Sequence, residues 1–258
     1  MIDLHCHVLP GIDDGPASVE GSLAMARAAA AAGTRTLVAT PHIDERYGVP
    51  PGHVPAAVER LRAALADAHI DVEVRPGGEI ELGRLAQLTT EEVDEVRLGG
   101  GPWMLLEAPL SASVGDFHLF VGRLRGRGER IVLAHPERCP LFHRRPERLA
   151  ELVADGVLCS LTSAALVGRF GRTVRSFALE MLAGGLVHNV ASDSHDAVHR
   201  GPELLSGLHA AERELPGVLA QADWLTRAVP EAVLSGAPLP DAPEPPRRRR
   251  GLRRLLAR

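Results

Sequence analysis

The fifteen residues Met1–Gly15, MIDLHCHVLPGIDDG, set a pattern that the remainder of the chain repeats. Ile2 and Leu4 around Asp3 predict a short strand that ends in His5-Cys6-His7. Side chains two apart on a strand share a face, so His5 and His7 can hold one cation between them while Cys6 turns away. Asp13 and Asp14 follow in a loop flanked by Gly11, Gly15 and Pro16, where backbone bends can bring carboxylates back toward such an ion. A single His-x-His pair is equally what two hydrogen-bonded strand-end histidines look like. Repetition of the pattern farther along favours the metal.

Outward from this stretch, apolar strands alternate with helical segments. Val19–Ala32 is Ala-rich, free of Pro and closed by Gly33, and reads as a helix. Thr36–Ala39 is a short buried strand running into Thr40-Pro41-His42. Val54–His69 carries Val58, Leu61 and Leu65 at helical spacing. A strand at Val72–Val74 leads to Gly77-Gly78-Glu79, a short helix is expected over Thr89–Val96, and a strand at Trp103–Leu106 ends at Glu107. A helix over Val114–Arg127 precedes a strand at Arg130–Ala134 that ends at His135. Helix Pro146–Ala154, strand Val157–Leu161, helix Val174–Ala183 and strand Leu186–Ala191 follow, the last ending at Ser192-Asp193-Ser194-His195. Helical segments are expected through most of Glu203–Arg227. Seven strands separated by helices predict a parallel sheet wound by right-handed crossovers. The expected fold class is therefore α/β, a (β/α)₇ barrel of TIM type, with an open doubly wound sheet as runner-up. No G-x-G-x-x-G follows a strand, so a dinucleotide fold has no support.

Composition narrows the class. The 258 residues contain no Lys, and the formal charge of −4 is uneven. Residues 247–258 hold seven Arg and no acid, leaving 22 Arg against 33 acidic residues elsewhere. An acidic body argues against a nucleic-acid face. Residues 1–240 are expected to form one domain, followed over 241–258 by a Pro-rich linker and an Arg-rich tail, RRRRGLRRLLAR, expected to be disordered. The sharper reading of the tail is contact with anionic membrane or an acidic partner. Three cysteines without framework spacing, no leader before the first strand and no apolar run of membrane length predict a soluble cytoplasmic protein.

In a parallel barrel the carboxyl ends of the strands form one face, and sites are built there. His5, His7, His42, Glu79, Glu107, His135, Asp193 and His195 all stand at or just past strand ends, and Asp14 joins them from the first loop. Nine such groups crowded together would repel and take up protons. Two or three divalent cations remove that cost. Imidazole mixed with carboxylate suits Mn, Fe or Zn, and no thiolate set is present. Ions about 3.5–4 Å apart suit in-line displacement at a phosphoester or amide. Arg138 lies three residues past His135 and Arg200 five past His195, where guanidinium forks could clamp a phosphate.

The motifs DLHCH at Asp3–His7, GIDDGP at Gly11–Pro16, TPH at Thr40–His42, GEI at Gly78–Ile80, AHPER at Ala134–Arg138 and ASDSH at Ala191–His195 resemble the PHP (polymerase and histidinol phosphatase) superfamily. Within it, IDDGP, HPER and the Arg200-Gly-Pro after Ser194-His195 are most similar to the bacterial manganese-dependent protein tyrosine phosphatases of polysaccharide export loci. The resemblance spans about residues 1–240. It implies a distorted (β/α)₇ barrel with a trinuclear site. His5, His7, Glu79 and Asp193 would bind one metal, Glu79 as bridge with Glu107 and His135 a second, and Asp14, His42 and His195 a third. Arg138 and Arg200 would hold the phosphate. The implied activity is phosphotyrosine hydrolysis by a metal-activated hydroxide, with a bacterial tyrosine kinase as partner and Mn as the expected metal. Departures fall at Ala108, where the family has a bulkier apolar residue, and at Ala164-Ala165, where it has Gly-Ser; they bear on substrate fit.

Three other readings compete. Cys139 and Arg145 satisfy the Cys-x₅-Arg spacing of cysteine phosphatases, but the intervening Pro140-Leu-Phe-His-Arg144 has no Gly to let backbone N–H groups cradle a phosphate. The same metals could serve histidinol phosphate or a sugar phosphate. The barrel could be a non-enzymatic scaffold, against which the full ligand set argues. Asp14, Asp196 and His199 are the candidates to protonate the leaving group.

Overall fold

The computed structural model describes residues 1–111 and 116–247. Nine strand segments run in parallel: β1 (Ile2–Cys6), β2 (Thr36–Ala39), β3 (His42–Ile43), β4 (Glu73–Pro76), β5 (Glu79–Ile80), β6 (Trp103–Glu107), β7 (Arg130–Ala134), β8 (Leu158–Thr162) and β9 (Asn189–Ala191). They pair as two sheets, β1-β2-β4 and β3-β5-β6-β7-β8-β9. The count of nine reduces to the expected seven units, because β2 and β3 are two halves of one interrupted strand, and so are β4 and β5. Pro41, which lacks an N–H, interrupts the first, and Gly77-Gly78 the second. A Cβ on Gly77 would sit 2.8 Å from Val38 Cγ1, and one on Gly78 2.7 Å from Ile43 Cγ1, so only glycine lets the broken strand pass this close. Past the breaks, pairing resumes with His42 opposite Glu79, which sets two candidate ligands side by side.

Seven units in cyclic order give the distorted barrel, with no continuous ladder around the ring. The last unit meets the first through one parallel bridge, Cys6 with Ser194. His7 N donates to Ser194 O at 2.9 Å and Asp193 N to His5 O at 2.9 Å. Asp3 reinforces this seam from below: its Oδ1 accepts from Ser192 N at 3.0 Å and its Oδ2 from Ser192 Oγ at 2.5 Å.

Alternate residues of the strands fill the ring. Leu4, Val38, Leu105, Val132 and Leu158 pack together inside it and are closed underneath by Val229, Val233 and Leu234. These last three belong to the helix Val229–Ser235, which the sequence reading did not anticipate. The intervening strand residues, among them Leu37, Met104, Leu106, Ile131, Leu133 and Leu161, pack outward against the helices. Two such layers, with about 25 cal/mol per Å² of apolar surface removed from water, hold the strand ends in place.

Most helices fall where the periodicity puts them: Val19–Ala31, His53–Asp67, Thr90–Glu95, Pro146–Ala154 and Arg172–Ala183. The helix expected from Val114 is described from Phe117 to Gly126. Glu203–Arg227 is less helical than expected. It holds one helix, Leu205–Ala211, a 3₁₀ turn at Leu219–Gln221 and a π-helical turn from Trp224. The linker from Gly236 has no regular structure, yet it folds back: Gln221 Nε2 donates to Glu244 O at 2.7 Å and Pro246 is buried. All but the first residue of the Arg-rich run lies outside the described residues. Among the described residues, no helix is long and apolar enough to cross a membrane.

Candidate metal centre

Every strand-end residue singled out in the sequence except Glu107 and His42 is almost fully buried, and they meet at one rim. His5 and His7 share a face, their Nε2 atoms 3.3 Å apart, while Cys6 turns away to donate its thiol to Val38 O. Glu79 is the hub. Its Oε1 lies 2.7 Å from His135 Nε2, and its Oε2 lies 3.1 Å from His42 Nδ1, 3.4 Å from His5 Nε2 and 3.5 Å from His7 Nε2. Asp193 Oδ1 stands 3.7 Å from His5 Nε2 and 3.6 Å from His7 Nε2. Asp14 Oδ1 stands 3.1 Å from His195 Nε2 and 3.5 Å from His42 Nε2.

Three sets of donors close enough to share an ion result: His5, His7 and Asp193; His42, Glu79 and Glu107; and His7, Asp14, His42 and His195. The first and third overlap the groupings expected from the resemblance. In the second, His42 stands where His135 was expected, and His135 remains tied to the group through Glu79.

The backbone is bent to this purpose. His135 and Asp193 adopt left-handed φ values of 34° and 51°, which cost a non-glycine residue roughly 1–3 kcal/mol. His135 N bonded to Ser160 O, and Asp193 N bonded to His5 O, hold these conformations. In the first loop Gly15 passes so close to β1 that a Cβ would lie 2.3 Å from His7 O. This close approach tucks Asp13 under the histidines. Asp13 Oδ2 accepts from His7 Nδ1 at 2.7 Å and from His42 N at 3.0 Å. The loop pattern offers Asp13, like Asp14, as a carboxylate aimed at an ion; in the structure it stands outside the donor sets and orients two rings instead.

The donor set fits divalent cations and fits poorly without them. Glu79 Oε2, His42 Nδ1 and His135 Nδ1 are buried and make no hydrogen bond, a costly condition for polar atoms away from water. Proton affinities show the same crowding. Burial opposes a charge on His7, but Asp13 and Glu79 prevail and raise it to about 10. Burial and then the His7 charge push the neighbouring His195 down to about 4. Burial and the Glu79 charge raise Glu107 to about 8. Against its burial, the His5 and His135 rings hold Asp193 at about 2.

Both arginines reach the rim. Arg138 Nη1 and Arg200 Nη2 lie 3.1 and 3.0 Å from the same oxygen, Asp193 Oδ2. Arg138 is stacked on Phe170 at 4.5 Å, and Tyr47 lies parallel to His42 at 5.4 Å. These two aromatic neighbours carried no spacing signal in the sequence. Cys139 is fully buried and burial pushes its thiol up, the opposite of what a thiolate nucleophile needs. Asp196 accepts from the backbone N–H groups of Val198, His199 and Arg200, so it shapes the loop that presents Arg200.

The chain matches the family model described as capsular polysaccharide synthesis, CpsB/CapC, over residues 1–234. It is 34% identical over 215 residues to the tyrosine-protein phosphatase YwqE of Bacillus subtilis (strain 168), covering 83% of this chain and 85% of that protein. It is 28% identical over 210 residues to the tyrosine-protein phosphatase CpsB of Streptococcus pneumoniae, covering 78% and 86%. A solved structure from work on YwqE and CpsB, described there as unique metal-dependent tyrosine phosphatases, superposes with a TM-score of 0.82 at 32% identity, covering 97% of this chain and all of that one. A β-aspartyl dipeptidase from Fervidobacterium islandicum AW-1 shares the fold alone, at 17% identity, a TM-score of 0.54 and coverage of 90% and 72%. With the donor sets of the rim and these likenesses together, the chain belongs to the CpsB/CapC family of capsular polysaccharide synthesis proteins.

Proposed function

We propose that this chain is a metal-dependent protein tyrosine phosphatase, acting in the cytoplasm on a phosphotyrosine protein such as a bacterial tyrosine kinase of polysaccharide synthesis. The observation that carries the reading is the juxtaposition of three overlapping donor sets with two guanidiniums at one buried rim. The names of the relatives support it, and three unpaired, buried cysteines accord with a reducing compartment. Residues 1–240 carry the activity as one unit, and no nucleic acid is involved.

In this reading His5, His7, Asp14, His42, Glu79, Glu107, His135, Asp193 and His195 hold two or three divalent ions, with Mn favoured over Fe or Zn. Bound there, such ions supply an acidified water and positive charge against phosphoryl oxygens. The chain's own groups do the rest. Arg138 and Arg200 exchange part of their contact with Asp193 for the phosphoryl oxygens, which they bind and orient. Phe170 holds the Arg138 guanidinium in its plane. Asp14 is the more solvent-exposed carboxyl of the rim, whereas Asp196 has both oxygens engaged by backbone N–H groups.

Elemental analysis of the purified protein, paired with a phosphotyrosine-peptide assay across added metals, tests the reading. Hydrolysis is expected with Mn and abolished by a chelator, while thiol alkylation leaves it intact. Arg138→Ala is expected to keep its metal and raise KM. No hydrolysis of any aryl phosphate with Mn supplied would overturn the assignment.

A further inference from the structure

At the same end of the barrel as the rim lies a cleft of about 620 Å³, lined by His118, Leu119, Leu141, Arg144, Arg145 and Arg148, with Asp116 on one wall. It belongs to the same face as the metal ligands. One wall is the start of the helix Phe117–Gly126, which follows β6 and Glu107; the other is the segment that follows β7 and His135. Three arginines face one acid here, in a molecule whose residues before the Arg-rich tail hold 22 Arg against 33 acids. Arg144 and Arg145 are exposed and make no ion pair among the described residues, and Arg148 shares its charge with Glu151 at 2.8 Å. Two further polar atoms of the lining, Nδ1 of His118 and Nε of Arg148, are buried without a hydrogen-bond partner. The remaining lining is apolar: Leu119 is half exposed and Leu141 forms the inner surface.

We propose that this cleft is a second recognition site, which takes Asp or Glu side chains of the phosphorylated polypeptide a few residues from the phosphotyrosine. The proposal rests on the phosphatase reading above and adds a sequence preference to it. Guanidinium forks pair with carboxylates, and on an acidic body this cleft presents two guanidiniums without an ion pair at the end of the barrel that carries the donor sets. Distance sets the spacing. Arg144 follows Arg138 by six residues, mostly in helical turns. At roughly 1.5–2 Å per residue that is about 10 Å. An extended peptide rises about 3.3 Å per residue, so the preferred acids lie about three to five residues from the phosphotyrosine.

The test uses the full-length, Mn-loaded protein and three substrates: p-nitrophenyl phosphate, a phosphotyrosine peptide flanked by Ser and Gly, and the same peptide with Glu three to five residues from the phosphotyrosine. The acidic peptide is expected to show a KM roughly three- to tenfold below the neutral one, as two or three partly exposed pairs would give. Added salt should narrow the gap. Arg144→Ala with Arg145→Ala should erase the preference and leave kcat and p-nitrophenyl phosphate hydrolysis unchanged. Fluorescence anisotropy of both labelled peptides reads the cleft independently of turnover, so an inactive enzyme still reports on it. Equal affinity for the two peptides, or a preference that survives the double substitution, would overturn the proposal and leave the phosphatase reading standing. So would a double variant that lost binding to phosphatidylglycerol vesicles while keeping the peptide preference. Failure of the wild type on p-nitrophenyl phosphate with every metal would count against the phosphatase reading instead.

Discussion

Two buried polar groups stand almost in contact along β1, and they are built in opposite ways. Asp3, Ser192 and Ser194 form the first. Both Asp3 oxygens accept hydrogen bonds from Ser192, Oδ1 takes another from His5 N, and the Ser192 and Ser194 hydroxyls lie 2.8 Å apart. Glu79, His42 and His135 belong to the second, and each keeps a buried atom that makes no hydrogen bond. A satisfied buried set needs nothing more and acts as a fastener. An unsatisfied one is waiting for a ligand whose charge its donors can share. The distinction separates structure from function here better than residue type does, since both sets contain buried carboxylates.

The largest expected effect lies at Glu79. Glu79→Gln removes the hub's charge, and aryl phosphate hydrolysis should fall about 10³-fold with metal content falling alongside it in elemental analysis. Full metal and full activity in Glu79→Gln would erase the distinction between the two sets. Asp3→Ala should do the reverse. It breaks the satisfied set and should cost about 2–4 kcal/mol of unfolding free energy in denaturant titrations, while the protein that remains folded still loads metal.

Asp13 sharpens the comparison from the side, because it orients His7 without belonging to any donor set. Asp13→Asn should weaken metal binding about 10–100-fold in chelator competition, and it should also remove the part of the metal-free chain's stability that the raised His7 supplies. The smallest signal is in protons. His7, raised to about 10, and Glu107, raised to about 8, both carry protons at pH 7 in the metal-free protein. Loading should therefore release about two protons into a weak buffer and grow tighter as pH rises. In the metal-free protein, stability gained from the raised His7 is complete below its unfolded value near 6.5 and is lost as pH climbs through about 10.

Much of this was legible in the residues. Seven strand-and-helix units and most of the candidate donors follow from apolar runs that stop at His, Asp or Glu, because parallel barrels put all such stops on one face. The ring's interruptions were not legible. Pro41 and Gly77-Gly78 mark loops in a one-dimensional reading, and only packing shows that pairing resumes beyond them and brings His42 to Glu79. Asp13 and Asp14 are neighbours of identical type. Which one joins a donor set and which one steadies the rings depends on how closely Gly15 approaches His7 O, a contact with no sequence period. Tyr47, Phe170 and the basic cleft escaped for a related reason: side chains on separate loops converge there without a repeat. The helix Val229–Ser235 was passed over because Pro230 argues against a helix unless it falls at a first turn, as it does here.

The seam between β1 and β9 has a consequence for the timing of assembly. The earliest donors to leave the ribosome, His5 and His7, find their partner Asp193 only after nearly the whole barrel has been translated. At about 5–20 residues per second, that is an interval of roughly ten seconds or more, during which the first histidines have no carboxylate from the last strand to work with. Completion of the donor sets is thus a late event in the life of the polypeptide, and a prematurely terminated product would be left without one corner of them.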